Sequence, residues 1–375
     1  LMAAVLEPGT SVAGVLTRSK TCSAPVLWCR DNLEHGRARA LVVNSGNANA
    51  FTGKKGSEAT RLTAEAMGEA VGCPASEVYV ASTGVIGEPL DAHRFAHLLG
   101  DLVRSAAADQ VEIAARAIMT TDTYPKLATR SAEIAGVPVS INGFCKGAGM
   151  IAPDMATMLC FLFTDAALPP KVLQELLVRH VRTTFNCMTI DGDTSTSDTC
   201  LLFATGAAAK RGQPPIASAQ ERSLAVFEAA LHDLLRDLAI QVAKDGEGLS
   251  KFVTIEIAGA ESWEAARRIG LACANSPILK AAIFGEDPNW GRLVMAIGKA
   301  GEAADRDKLS IWFGPHEVAR NGQRAPDYVE QAVADYMKGR EILIRADVGV
   351  GAAEATVWTC DLTHDYISIN ADYRS

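Results

Sequence analysis

Two rhythms of apolar residues alternate along the chain. Ala40-Leu41-Val42-Val43-Asn44, Val78-Tyr79-Val80-Ala81-Ser82 and Val137-Pro138-Val139-Ser140-Ile141 are short apolar runs that end in glycine-containing turns, and they predict strands. Between the first two, residues 57–71 predict a helix with Ser57 as N-cap and Glu58 in its first turn. Residues 90–103 predict another, with Phe95, Leu98, Leu99 and Leu102 on one face. Further on, Pro170 suits the first turn of a helix whose inner face holds Leu173, Leu176, Leu177, Val181 and Phe185. The longest stripe is Leu224, Phe227, Leu231, Leu234, Leu238 and Val242, stopped by Asp245-Gly246. Val253-Thr254-Ile255-Glu256-Ile257 alternates as a half-exposed strand does. Strands and helices mix throughout, without a fixed repeat, so the class is α/β or α+β; the pattern leaves the topology open.

Composition narrows the function classes. With 48% hydrophobic and 21% charged residues, the chain can bury a core, which argues against disorder. A net charge of -8 and 6% aromatics supply neither the basic stripe nor the stacking platforms that nucleic acids require. No stretch approaches the roughly 20 apolar residues of a membrane span. The opening Leu1-Met2-Ala3-Ala4-Val5-Leu6-Glu7-Pro8 lacks the positive flank of a secretory signal, so a cytoplasmic protein is expected. The nine cysteines are scattered without a CxxC pair, which predicts buried thiols rather than disulfides or a zinc cluster.

Four stretches are small, polar and glycine-rich where a core would be apolar. They are Asn44-Ser45-Gly46-Asn47-Ala48-Asn49-Ala50, Ala81-Ser82-Thr83-Gly84-Val85-Ile86-Gly87, residues 146–159 and residues 191–198. None satisfies a nucleotide-binding fingerprint. Together with Met119-Thr120-Thr121-Asp122-Thr123, Gly246-Glu247-Gly248, Gly285-Glu286-Asp287-Pro288-Asn289-Trp290-Gly291-Arg292 and the tail Ile369-Asn370-Ala371-Asp372-Tyr373, they resemble the ornithine acetyltransferases, or glutamate N-acetyltransferases, of arginine biosynthesis. The resemblance spans nearly the whole chain. Its most specific part is Met155-Ala156-Thr157-Met158-Leu159 following the turn at Lys146-Gly147.

Taken alone, Thr157 reads as a β-branched residue at the edge of a strand over residues 158–163. The resemblance implies more: the chain breaks between Ala156 and Thr157, giving an α fragment of residues 1–156 and a β fragment of residues 157–375. A hydroxyl one residue beyond a carbonyl can attack it, and water then hydrolyses the resulting ester. Thr157 is left with a free α-amine beside its own hydroxyl, a nucleophile with a built-in base. The resemblance also implies an oxyanion hole at Thr83 and Gly84, and substrate contacts from Thr123, Lys146, Thr157, Glu247, Asn370 and Ser375. Lys146 suits an α-carboxylate and Glu247 an ornithine ammonium.

The implied fold is a two-fragment α/β sandwich related to self-cleaving aminopeptidases, assembled as a heterotetramer of two α and two β chains. The implied reaction moves acetyl from N2-acetyl-L-ornithine to L-glutamate through acetyl-Thr157, with no metal and no cofactor. Whether acetyl-CoA is a co-substrate is left open. Two positions depart from the family pattern: Asp154 stands where Asn is usual, and Ser197 likewise. Asp191, Asp193 and Asp198 admit a Mg²⁺ site, or equally turns whose carboxylates cap backbone N–H groups. No histidine lies in the matching motifs, and His364 is the nearest by sequence. Three other readings stay open: an amidase or aminopeptidase that passes the acyl group to water, an amino-acid binding protein without chemistry, and a Mg²⁺-dependent phosphotransferase.

Overall fold

The computed structural model describes residues 1–152 and 158–372. Among the described residues, thirteen strands form two sheets. The first takes β1 (Met2–Leu16), β2 (Arg37–Asn47), β3 (Val78–Val85), β4 (Lys126–Ile134), β5 (Val137–Lys146), β6 (Leu159–Thr164) and β7 (Thr199–Ala204), in the order β3-β2-β1-β7-β6-β5-β4. The pairs β2–β3 and β6–β7 are parallel, and the others antiparallel. The second takes β8 (Phe252–Ala260), β9 (Ser310–Phe313), β10 (His316–Arg320), β11 (Gln323–Arg324), β12 (Glu341–Asp347) and β13 (Ala353–Cys360), in the order β11-β10-β9-β12-β8-β13.

The central strands of the first sheet are apolar on both faces because both faces are covered. In β6 and β7, Cys160, Leu162, Cys200 and Leu202 point into one core, under the helices Pro170–Thr183 and Ala225–Ala243. Leu159, Phe161, Leu201 and Phe203 point into the other, with Tyr79 and Phe144. A run without alternation is what burial on two sides requires. The Ala225–Ala243 stripe of Phe227, Leu231, Leu234, Leu238 and Val242 is fully buried. Each such side chain contributes about 1.5–3 kcal/mol by leaving water. Leu234→Ala would therefore cost about 2–5 kcal/mol, cavity included. The second sheet has its own core, where Val253, Ile255 and Ile257 of β8 meet Ile269 and Cys273 of the helix Trp263–Ala274.

Three helices differ from their expected extents. The one begun by Pro170 ends at Thr183, and Phe185 lies in the short 3-10 turn Phe185–Cys187 beyond it. The helix expected over 57–71 runs Gly53–Val71, and Ser57 is exposed inside it. Asn49 moves the start upstream: its Nδ2 donates to the Gly56 carbonyl at 2.9 Å, and its Oδ1 accepts from Thr52 Oγ1 at 2.9 Å. The helix expected over 90–103 is two short ones, His93–Ala96 and Leu99–Ser105. Of its four stripe residues only Leu99 is fully buried while Leu98 is exposed, so no continuous apolar seam holds one straight helix there.

Candidate active site

β2 and β3 run parallel and end side by side. Ser82 donates to the Asn44 side chain across the pair, and beyond it the register slips at Gly46 and Gly84. Gly84 has φ +128°, and a Cβ there would lie 2.2 Å from the Gly46 carbonyl carbon. Only glycine fits this approach. The slip turns Thr83, Gly84 and Ile86 towards a cavity of about 130 Å³. Its other walls are Thr120 and Thr121, Lys146 at the end of β5, Gly149 and Met150, Ser195 to Ser197, Glu247 and Asn370. The largely apolar cavity of about 590 Å³ under the start of β1 is larger, but it lacks such converging polar groups.

Two opposite charges face this space. Lys146 is buried, and its Nζ donates to Thr120 Oγ1 at 2.7 Å and lies 3.6 Å from Asp122 Oδ2. Burial pulls the Lys146 ammonium below its ordinary range, and the attraction of Asp122 only partly offsets that. Glu247 follows the turn that ends the long helix; its N–H donates to the Ala148 carbonyl at 2.9 Å. Asn370 Nδ2 donates to Glu247 Oε2 at 2.8 Å from the end of the helix His364–Ala371. A Cβ on Gly149 would sit 2.3 Å from the Glu247 carboxylate, so glycine makes room for this acid.

The loop leaving β5 is pinned by Asp191. Its carboxylate accepts from the N–H groups of Met150 at 2.6 Å and Ile151 at 2.8 Å, and from the Tyr366 hydroxyl at 3.3 Å. Met150 sits at φ +55°, a conformation that side chains rarely adopt and that clusters at functional sites. Burial raises the Asp191 carboxyl, while the backbone donors oppose the shift. Past the undescribed stretch, Met158 N–H donates to Asp198 Oδ1 at 3.0 Å. Asp191 and Asp198 thus hold backbone N–H groups, as capping turns do.

Thr83, Gly84, Lys146, Glu247 and Asn370 line the same cavity. Thr123 stands beside the cavity rather than in its lining: its N–H donates to Asp245 Oδ2 at 3.0 Å and its hydroxyl to Asp245 Oδ1. Ala156, Thr157 and Ser375, and with them Asp154, lie outside the described residues. Among the described residues no histidine lines the cavity; His364 is exposed and packs edge-on against Phe284, with centroids 5.6 Å apart.

Sequence reasoning missed the charges behind the site. Lys126 is fully buried, 2.7 Å from Asp122 Oδ1 and 2.6 Å from Asp245 Oδ2. Breaking such a buried pair by removing one partner costs about 3–5 kcal/mol. A signal was present: Lys126 shares strand parity with Ala128 and Ile134, the buried positions of β4. A lysine on the inner face of a strand requires a buried counter-ion.

A family model described as the ArgJ family matches residues 1–375. The chain is 59% identical over 375 residues to the arginine biosynthesis bifunctional protein ArgJ of Brucella suis biovar 1, covering 100% of this chain and 91% of that protein. It is 63% identical over 365 residues to the protein of the same name from Rhizobium meliloti, covering 97% and 88%. The crystal structure of arginine biosynthesis bifunctional protein ArgJ from Bacillus halodurans matches with a TM-score of 0.53 at 33% identity, over 56% of this chain and 96% of that one. With a match from first residue to last and relatives well above half identity, the chain belongs to the ArgJ family.

Proposed function

We propose that this enzyme of arginine biosynthesis moves the acetyl group of N2-acetyl-L-ornithine to L-glutamate, after cutting itself between Ala156 and Thr157. The observation that carries this reading is the cavity where the Thr83-Gly84 bulge, the Lys146 ammonium and the Glu247 carboxylate meet. An acyl transfer between zwitterions needs a place for the oxyanion and both signs of charge. Thr157 Oγ attacks the acetyl carbonyl, Thr83 and Gly84 stabilise the oxyanion, and ornithine leaves as the amine takes a proton. The glutamate amine then attacks the Thr157 ester and carries the acetyl away as N-acetylglutamate. The Thr157 α-amine is the base in both halves. Lys146 holds the α-carboxylate, Glu247 and Asn370 the far end of the substrate, and Ser375 completes the contacts, while Thr123 stays bound to Asp245 beside the cavity.

Processing into an α fragment of residues 1–156 and a β fragment of residues 157–375 has independent support. The Bacillus halodurans chain matches 56% of this chain with 96% of its own length, the proportion expected of a processed second fragment. We place the fragments in a cytoplasmic heterotetramer of two α and two β chains. Among the described residues no helix is long and apolar enough to cross a membrane. The word bifunctional in the relatives' names supports acetyl-CoA as a second acetyl donor for glutamate. The reaction itself draws on no metal or cofactor.

Product analysis tests the reading. With N-acetylornithine and glutamate, N-acetylglutamate and ornithine should appear in equal amounts, with parallel lines in double-reciprocal plots. Free acetate in place of N-acetylglutamate would make the enzyme an amidase, and intersecting lines would replace the acyl-enzyme with direct transfer.

A further inference from the structure

The buried charges behind the cavity have a job of their own in the geometry. Asp122 is a hub: its Oδ1 accepts from Lys126 Nζ at 2.7 Å and from the Gly147 N–H at 2.6 Å. Its Oδ2 accepts from the Thr120 N–H at 3.1 Å and lies 3.6 Å from Lys146 Nζ. Lys126 bridges Asp122 to Asp245, and Asp245 takes both donors of Thr123. The Tyr124 ring lies over Lys126, its centroid 4.9 Å from Nζ. The 120–123 loop and the adjoining start of β4 therefore meet the end of β5 and the end of the long helix on three charges.

We infer that Asp122, Lys126 and Asp245 are positioning residues of the transfer reaction: Lys126 and Asp245 fix Asp122 in place, and Asp122 aims the Lys146 ammonium at the substrate carboxylate. The inference rests on the acetyl-transfer reading above. A surface ion pair does neither job, since solvent screens it. This one is fully buried at Lys126 and nearly so at both aspartates. The groups acting on Lys146 are Asp122 and Glu247, which favour its charge, and Lys126, which opposes it. Burial favours the neutral amine, so the attraction of Asp122 decides how far the ammonium persists as pH rises. Asp122 is fitted to this. Burial works against its ionisation, but Lys146 and Lys126 hold it below the ordinary carboxylate range.

Asp122→Asn keeps the shape and removes the charge. In the processed enzyme it should raise KM for N-acetylornithine about tenfold, the factor that 1.4 kcal/mol represents, with a smaller fall in kcat. It should also move the alkaline limb of kcat/KM to lower pH, because Lys146 loses its proton sooner. Asp245→Asn should move the limb the same way by less, and it serves if Asp122→Asn does not fold. An unmoved limb and unchanged KM, in variants that melt like the parent, would leave the cluster with a purely structural role and overturn the inference. If the parent enzyme transfers no acetyl group, the function itself has failed, which is a distinct result.

Discussion

At the scale of single residues, the site depends on positions where one side chain fits and its neighbours do not. Gly84 is the clearest, since any Cβ would press on the Gly46 backbone. Gly84→Ala should therefore disturb the β2–β3 bulge and lower kcat. Thr83→Ala leaves the bulge intact and removes only a hydroxyl. If that hydroxyl meets the oxyanion, kcat should fall about 10²–10³-fold with KM little changed. Steady-state kinetics on both variants will show this, and a rise in KM at constant kcat would assign Thr83 to binding instead. His364 makes the opposite case, since it is exposed and packs on Phe284 outside the cavity. His364→Gln should leave the acidic limb of the pH profile in place. In the proposed mechanism that limb belongs to the Thr157 α-amine, which accepts a proton only when neutral. A free α-amine titrates near roughly 7.7–8.0, and burial or a positive charge close by would lower that value. Loss of the limb in fully processed His364→Gln would transfer the role of base to the imidazole.

At the scale of elements, the last helix is held without a hydrophobic seam of its own. His364–Ala371 has no buried residue, and its anchors are polar. Thr363 caps it by accepting the Tyr366 N–H at 3.1 Å, and its hydroxyl donates to the Gly248 carbonyl at 2.6 Å. Thr363→Val should cost this helix about 0.5–2 kcal/mol of capping energy. Asn370 would then spend less time on Glu247, and KM should rise several-fold without a change in the main melting transition. A variant with parental KM would show that the cap does not position Asn370. The elements also show what a pattern can reveal. Long stripes such as Phe227 to Val242 were legible because a buried helix face and a run of apolar residues are the same fact. The 90–103 segment divides into two helices because four apolar residues at helical spacing do not guarantee a surface to bury them. The start of Gly53–Val71 depends on the Asn49 side chain, outside the helix and outside its periodicity.

In the whole molecule, the proposed cut does not separate two bodies. In the first sheet β6 and β7, which follow residue 157, lie between β1 and β5, which precede it. The fragments share ladders on both sides, β1 with β7 and β5 with β6. They should co-elute as one species in gel filtration and part only in denaturant; two separate peaks in native buffer would contradict this arrangement. Such interleaving could not be read from the chain, since strand order depends on crossovers that local patterns do not encode. The candidate site was legible in part. Glycine-rich polar stretches stand out against an apolar background and carry the resemblance, and it is the resemblance that names Thr83, Gly84, Lys146, Glu247 and Asn370, which line one cavity. The cluster of Asp122, Lys126 and Asp245 is not legible, because it closes only when Asp245, 119 residues from Lys126, folds onto the Asp122–Lys126 pair. The central claim is an acetyl group carried on Thr157, and intact mass spectrometry of the purified protein tests it most directly. The parent should show two fragments matching residues 1–156 and 157–375. With N-acetylornithine alone, the second should gain the mass of one acetyl group and lose it when glutamate is added. Thr157→Ala should stay a single unacetylated chain. Cleavage of that variant at the same bond, or an acetyl group found only on the first fragment, would contradict the account.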